Sequence, residues 1–250
     1  MRVTLVQSAP KLNRTNLSDV CETIKELTDK SDLIVFPELA LNGYLLQDKL
    51  YEDAWNLDEL DELCALSRHV DIVIGGAIKD KGVFRNAALY FSHGKLLSQH
   101  NKVHLPNYGM FEEARYFTKG DVFESFYTPS RRKISMLVCE DLWHKSVHED
   151  LVKENPDLII ALVASPARGF SDDGLEIEKQ WYSIIKTVAR ECRAKLIFVN
   201  RVGFEDGLGF WGGSCIVDEN AHILHKLPRY ETMIKTYEIM IKTYEIEEIR

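Results

Sequence analysis

Short apolar runs recur along the chain at Val3–Gln7, Leu33–Phe36, Ile72–Ala77, Ala87–Phe91, Ile134–Cys139, Leu158–Val163 and Leu196–Asn200. Two more follow at Gly213–Val217 and His222–Leu227. Runs of this length, rich in Val, Ile and Leu, read as buried strands. Between several of them the apolar positions change to helical spacing. Asn16–Lys30 sets Val20, Ile24 and Leu27 on one stripe. Leu57–His69 aligns Leu57, Leu60 and Cys64, and Gly174–Cys192 aligns Trp181, Ile184, Ile185, Val188 and Cys192. Such stripes are core-facing helix faces. The order begins β-α-β-α-β, passes through hairpin-like strands near Asn86–Gln99 and returns to alternation. This predicts a layered α/β protein with helices over mixed sheets. No Gly/Pro/Ser-rich linker interrupts the pattern, so one domain over 1–250 is expected. The longest irregular stretch, about Lys102–Pro129, is dense in polar and aromatic residues, and long loops in compact domains often carry function.

From about Arg229 the chain continues as an extension in which MIKTYEI occurs twice, at Met233–Ile239 and Met240–Ile246. Seven is odd, so one unbroken strand would turn the second copy's side chains to the opposite face. The expectation is that one copy pairs as a strand and the other is displaced. The Ile, Met and Tyr side chains of this segment need a surface to cover them.

Composition narrows the classes of function. The chain has 250 residues, 45% hydrophobic and 28% charged, which is an ordinary globular balance. A net charge of −8 lacks the basic footprint that phosphate contact needs, so nucleic acid is not an expected partner. No apolar run approaches the roughly 18 residues of a membrane span, so no membrane partner is expected. The opening MRVTLVQSAP is too short in apolar residues for a signal peptide and reads as a first strand. Five cysteines, odd in number and widely spaced, do not form a disulfide framework; a reducing cytoplasm is the expected location.

Three segments end abruptly in a reactive residue. Asp32–Phe36 runs through Pro37 into Glu38, Ile134–Val138 ends at Cys139 and continues Glu-Asp-Leu-Trp, and Lys102 opens the long loop. Singly, each has a plain reading: a buried structural thiol, a helix-start carboxylate, a solvated lysine. Together they make a chemical set. A thiolate attacks a carbonyl, a carboxylate takes the thiol proton, and an ammonium holds the oxyanion. Spacing alone leaves open whether Glu38 or a histidine is the base. His144 and His148 stand at metal-binding spacing but lack a third ligand, so no metal is expected. His93, His100 and His104 read as surface residues, and Cys21, Cys64, Cys192 and Cys215 as core. Arg168, just after Ser165-Pro166, is placed to clamp a carboxylate or to stand in solvent. Trp143 and Trp211 wall a pocket or simply pack. Gly212-Gly213-Ser214 reads as a turn and not as a phosphate cradle.

Four ordered segments carry a resemblance: FPELALNGY at 36–44, KVHLPNYGMFEEARYFTKG at 102–120, LVCEDLW at 137–143 and NRVGFEDGLGFWGGSCIVD at 200–218. They are similar to those of the nitrilase, or carbon–nitrogen hydrolase, superfamily. The resemblance implies a four-layer αββα sandwich with mixed sheets, usually dimerised. It implies Glu38 as general base, Lys102 as oxyanion-holding ammonium and Cys139 as nucleophile, with Glu113, in preference to Glu112, as a second glutamate. CEDLW, the LPNYG-F-EE-RYF pattern and Ser165-Pro166 resemble the glutamine-hydrolysing domain of glutamine-dependent NAD synthetases. There the tyrosines matching Tyr44 and Tyr108 form the glutamine pocket or its entrance. The SGGxDS-type loop of the synthetase's ATP-binding half is missing from this sequence. The implied activity is hydrolysis of a small, glutamine-like carboxamide to acid and ammonia through a thioester, with no cofactor. Tyr44, Tyr108, Ser165 and Arg168 are the expected substrate contacts. The expected partners are a small amide, a second copy of the chain in a homodimer or higher oligomer, and a separate ammonia-accepting synthetase; a free-standing amidase is the other arrangement. An N-carbamoyl amine or ω-amide hydrolase is the alternative activity, and a non-catalytic binding subunit of the same fold is the alternative outside catalysis.

Overall fold

The computed structural model describes residues 1–241. Two six-stranded sheets form its centre. The first runs, in spatial order, Met233–Glu238, Arg2–Gln7, Leu33–Val35, Asp71–Asp80, Val83–Ser92 and Lys95–Asn101. The second runs Ile223–Lys226, Cys215–Val217, Lys195–Asn200, Leu158–Val163, Lys133–Val138 and Phe126–Tyr127. Arg2–Gln7, Leu33–Val35 and Asp71–Asp80 pair in parallel, as do Lys133–Val138, Leu158–Val163 and Lys195–Asn200. The remaining pairings within the two sheets are antiparallel. Parallel strands covered on both faces read as unbroken apolar runs, as Leu158–Val163 does.

Alternation along each strand divides its side chains between two layers. Leu33 and Val35 face the second sheet with Val3, Leu5 and Val73, and meet Met136, Val138, Ile160, Leu162, Ile197 and Val199. Ile34 and Phe36 point outward and are covered by the helices Asn16–Leu27 and Asp61–Leu66. On the far side Leu137, Ile159, Ala161 and Phe198 are covered by Lys145–Glu154 and Glu176–Cys192. The result is the four-layer αββα sandwich.

Local departures from the sequence pattern have local causes. Leu57–His69 is not one helix. A 3₁₀ turn, Leu57–Leu60, held by a capping box between Asn56 and Glu59, precedes the helix Asp61–Leu66, and Leu57 is exposed. The strand predicted from Gly213 begins at Cys215, because Gly212 and Gly213 take φ of 71° and 64° in a turn. Gly174 and Leu175 pair with Phe170–Ser171 in a small ribbon, so the following helix starts at Glu176. The first MIKTYEI copy pairs antiparallel with the whole Arg2–Gln7 strand. Its Met233, Tyr237 and Ile239, with Ile241, pack on the inter-sheet core. Among the described residues of this segment Tyr230, Ile234 and Met240 stay exposed. Beyond Ile241 the second copy lies outside the described residues. Among the described residues no helix is long and apolar enough to cross a membrane.

Candidate active site

The two sheets bring three strand ends to one place. After Leu33–Val35 the chain makes one more regular sheet bond, Phe36 N–H to Val73 C=O at 2.8 Å; Pro37 has no N–H to continue the ladder, though its C=O accepts from Gly75 N–H at 3.2 Å. Glu38 follows, and Leu39 takes the left-handed conformation at φ 51° to turn the chain. This turn lies directly on the glycine of a neighbouring strand. A Cβ at Gly75 would stand 2.5 Å from Leu39 N and 2.7 Å from Glu38 Cα. Lys102 follows Lys95–Asn101. Its N–H donates to Asn86 C=O at 2.9 Å and its C=O accepts from Gly120 N–H at 2.8 Å. Cys139 follows Lys133–Val138 with φ 45°. A non-glycine residue held there is strained by about 1–2 kcal/mol, and such strain collects at functional sites. Glu113 opens the one-turn helix Glu113–Tyr116, fixed by its N–H on Pro106 C=O at 3.1 Å.

The side chains converge in a buried cluster. Lys102 Nζ lies 2.8 Å from Glu38 Oε1 and 2.8 Å from Glu113 Oε1. Tyr44 OH donates to Glu113 Oε1 at 2.6 Å. Asn86 Nδ2 lies 2.8 Å from Glu38 Oε1 and 3.5 Å from Glu113 Oε2. Glu38, Asn86 and Lys102 are 0%, 1% and 1% exposed. Glu38 Oε2 is buried without a hydrogen-bond partner among the protein groups, so one oxygen of this carboxylate stays uncommitted by side chain or backbone. Glu112 is exposed and pairs with Arg115, away from this cluster.

Charge sets the protonation states. Burial works against the Lys102 ammonium, but Glu113 and Glu38 outweigh it and hold its pKa well above the usual lysine value. Burial pushes the Glu113 carboxyl up; Lys102 pulls it down without cancelling that, and Glu38 adds to the rise. Burial and Glu38 push the Cys139 thiol well above its ordinary value, outweighing Lys102 and a hydrogen bond from the Ala164 backbone. The lysine's attraction therefore does not make a resting thiolate. Burial and Glu38 both favour the neutral thiol. Burial also keeps Tyr44 a phenol, able to donate to Glu113.

Asp141, two residues beyond Cys139, ties the pieces together. Oδ1 accepts the backbone N–H groups of Val103 at 3.0 Å and His104 at 2.9 Å; Oδ2 accepts Val138 N–H at 3.1 Å and meets His100 Nε2 at 2.8 Å. One carboxylate thus joins the Cys139 strand to the segment that follows Lys102. His100 is buried and not a surface residue, because on the Lys95–Asn101 strand it points inward to this carboxylate. His104 is half-buried and stacks on His144 with ring centroids 3.6 Å apart. His148 bonds Leu142 C=O at 2.7 Å. Among the described residues no three metal-ligating side chains gather.

A cleft leads from Cys139 to the surface past Tyr44, Phe111, Trp143 and Trp181. Tyr108, half exposed, stands at its mouth with its OH donating to Glu140 Oε2 at 2.8 Å. Ser165 is buried in the wall, its Oγ accepting Trp181 Nε1–H at 2.9 Å. Arg168 lines the same cleft, its guanidinium carbon 5.5 Å from the centroid of Phe111, with Nε buried and unpartnered. Trp143 walls the cleft, whereas Trp211 packs in the core near Phe198 and Tyr182. Cys21, Cys192 and Cys215 are buried and Cys64 partly so, away from the cleft. From sequence, Asn86, Asp141 and Glu140 carry no role and His100 reads as a surface residue. Asn86 sits at a strand position where alternation permits a polar residue, and the only hint is its place among buried alanines.

Comparison with known proteins gives a consistent picture. The carbon–nitrogen hydrolase family model matches residues 2–245. The glutamine-dependent NAD(+) synthetase of Thermotoga maritima is 30% identical over 246 residues, covering 94% of this chain and 41% of the relative. The structure of glutamine-dependent NAD+ synthetase from Acinetobacter baumannii superposes with a TM-score of 0.83 at 28% identity, over 94% of this chain and 44% of that one. The chain therefore spans under half the length of these relatives. The amidase from Nesterenkonia sp. AN1, in a form with acrylamide added at its active-site cysteine, shares the fold with a TM-score of 0.80 at 22% identity, over 96% of this chain and 93% of that one. With the sandwich, the strand-end carboxylate, lysine and cysteine, and a family match over nearly its whole length, this chain belongs to the carbon–nitrogen hydrolase family.

Proposed function

We propose that the protein hydrolyses the side-chain amide of glutamine or a close zwitterionic analogue, releasing ammonia through a thioester on Cys139. The observation that carries this reading is the buried cluster in which Lys102 bridges Glu38 and Glu113 beside a thiol held neutral. An amide is a weak electrophile, so the thiol proton must leave as the sulfur attacks. Glu38 Oε2, uncommitted and buried, takes that proton while Sγ bonds to the carbonyl carbon. The new oxyanion is held by Lys102 and the backbone N–H after Cys139; one such donor is worth about 3 kcal/mol. Glu38 passes its proton to the departing nitrogen, the C–N bond breaks and ammonia leaves. Water gives a proton to Glu38, adds to the thioester, and the sulfur leaves and recovers that proton. Glu113, fixed by Tyr44 and Lys102, orients the ammonium throughout.

The cleft supports a zwitterionic substrate. Burying an α-carboxylate and an α-ammonium requires partners for both. Arg168 supplies a cation, Glu140 an anion, and the Ser165 hydroxyl keeps a proton to donate because its oxygen already accepts from Trp181. The names of the relatives link glutamine to NAD synthesis, which supports glutamine as substrate and a separate synthetase as ammonia acceptor. A homodimer belongs to the same proposal and rests on the family resemblance. The test is ammonia release from glutamine, ω-amides of keto acids, N-carbamoyl amines, simple primary amides and nitriles. Glutamine is expected to show the highest kcat/KM. Faster turnover of a carbamoyl compound would replace the substrate, and no turnover of any member would overturn the hydrolase reading.

A further inference from the structure

The buried cluster holds two carboxylates and one ammonium, and a fourth polar side chain, Asn86, touches both carboxylates. Asn86 is 1% exposed, on the strand Val83–Ser92, with Ala87 and Ala88 beside it fully buried. Its Nδ2 reaches Glu38 Oε1 at 2.8 Å and Glu113 Oε2 at 3.5 Å, and its backbone C=O accepts Lys102 N–H at 2.9 Å. The amide nitrogen must face the carboxylates, because its oxygen there would meet two acceptors without a proton between them. We propose that Asn86 is a positioning residue that fixes which glutamate oxygen acts as base. This rests on Glu38 being the base of the proposed hydrolysis.

The reasoning is one of charge and geometry. Asn86 and Lys102 together occupy Glu38 Oε1, which leaves Oε2 as the free oxygen. The same NH₂ group restrains Glu113, so both carboxylates are held to one neutral donor. Neutrality matters. A second cation in place of Asn86 would change the net charge of the cluster, whereas an amide orients Glu38 and leaves that charge unchanged. An apolar residue of equal size would orphan buried acceptors. The other groups facing Glu38 are Lys102, Glu113, Cys139, Tyr44 and Arg201, so Asn86 is the neutral amide of the set.

The test compares Asn86→Ala, Asn86→Ser and Asn86→Asp with wild type in glutamine hydrolysis, recording kcat, KM and the pH profile of kcat/KM, with circular dichroism and melting as folding controls. Losing a hydrogen bond to a charged group should lower kcat about 10- to 100-fold for Asn86→Ala. KM should stay within about threefold, since the residue does not line the substrate cleft. Glu113, whose carboxyl burial already raises, loses a donor to its charged form, so the acid limb should move toward higher pH. Asn86→Ser keeps a short donor and should recover part of kcat. Asn86→Asp adds a third carboxylate and should raise the acid limb at least as far. If folded variants keep kcat within about threefold, or lose kcat with the acid limb unmoved, Asn86 is structural and the proposal fails. Should Asn86→Ala not fold, the Ser and Asp variants decide by the same readouts. Glu38→Gln is run alongside: if it retains turnover, the underlying base assignment fails and Asn86 loses its role with it. If Glu38→Gln is dead while the Asn86 variants behave as wild type, only the Asn86 inference falls.

Discussion

Adding one methyl group at Gly75 tests how tightly the fold sets Glu38. A Cβ there would meet Leu39 N at 2.5 Å, Pro37 C=O at 2.6 Å and Glu38 Cα at 2.7 Å, all of them backbone atoms. Ordinary contact needs at least about 3.4 Å, so the turn carrying Glu38 must retreat by about 0.7–1 Å. Two backbone bonds oppose that, Gly75 N–H to Pro37 C=O at 3.2 Å and Leu41 N–H to Gly75 C=O at 3.1 Å. A misplacement near 1 Å at a reacting group costs about 100-fold in rate. Overpacking of this kind destabilises by about 1–3 kcal/mol, or about 2–12 °C in Tm for a chain of this size. Gly76→Ala is the matched control. Its Cβ would meet Leu41 Cδ1 at 3.0 Å, the end of a side chain and not backbone, so the turn that carries Glu38 need not move. Steady-state ammonia release from glutamine and thermal melting should show Gly75→Ala folded but down about 100-fold in kcat, with Gly76→Ala within a few fold of wild type. Equal effects of the two substitutions, or a fully active Gly75→Ala, would refute the reasoning.

Arg168→Ala should raise KM for glutamine about 10- to 100-fold with kcat within about threefold, because it removes binding common to ground and transition states; propionamide, which has no α-carboxylate, should be indifferent, and equal losses on both substrates would make Arg168 structural. The pH profile should lose activity on the acid side above the usual glutamate range, since burial raises the Glu113 carboxyl, and should stay flat well past neutrality, since both Lys102 and Cys139 titrate above their ordinary values; a basic limb near pH 7 would contradict this. Asp141→Asn should destabilise by about 3–5 kcal/mol at pH 7, because an NH₂ would face backbone N–H donors. Hydrogen bonds from His100 and the backbone hold the Asp141 pKa down against burial, so its stabilisation is present above the unfolded value near 4 and fades as pH falls through the lower folded value; the melting gap between wild type and variant should therefore narrow toward pH 2, and a pH-independent gap would overturn the assignment.

Much of this arrangement is legible in the sequence for a physical reason. A buried parallel strand must be apolar throughout, so Leu158–Val163 announces itself. A polar residue ending such a strand, as Glu38 and Cys139 do, lies at the sheet's rim where sites form, whereas Lys102 follows an antiparallel edge strand that the apolar pattern does not mark. What the sequence hides is phase and direction. Glu112 caps the one-turn helix that Glu113 opens, and which of them turns inward is set by backbone bonds from elsewhere, such as Glu113 N–H to Pro106 C=O at 3.1 Å and Thr118 N–H to Phe84 C=O at 2.8 Å. His100 looks like any polar residue on an edge strand until Asp141 is brought to it from 41 residues away. Asn86 is hidden for the same reason, because its two carboxylate partners come from other elements. The glycine pair at Gly212-Gly213 reads as a turn, but how far that turn eats into the strand expected from Gly213 is set by the left-handed φ of both residues, and the strand begins only at Cys215.

The most direct measurement is ammonia release by Cys139→Ala beside wild type, with circular dichroism and melting confirming that both fold. The small side chain leaves little cavity at a strand end and relieves the left-handed strain only slightly, so the fold should persist. Attack by the Cys139 sulfur is the step on which the proposed chemistry depends, and without it turnover should fall below about 1% of wild type. A folded Cys139→Ala protein that keeps more than a few per cent of its activity would remove Cys139 as the nucleophile and the thioester mechanism with it.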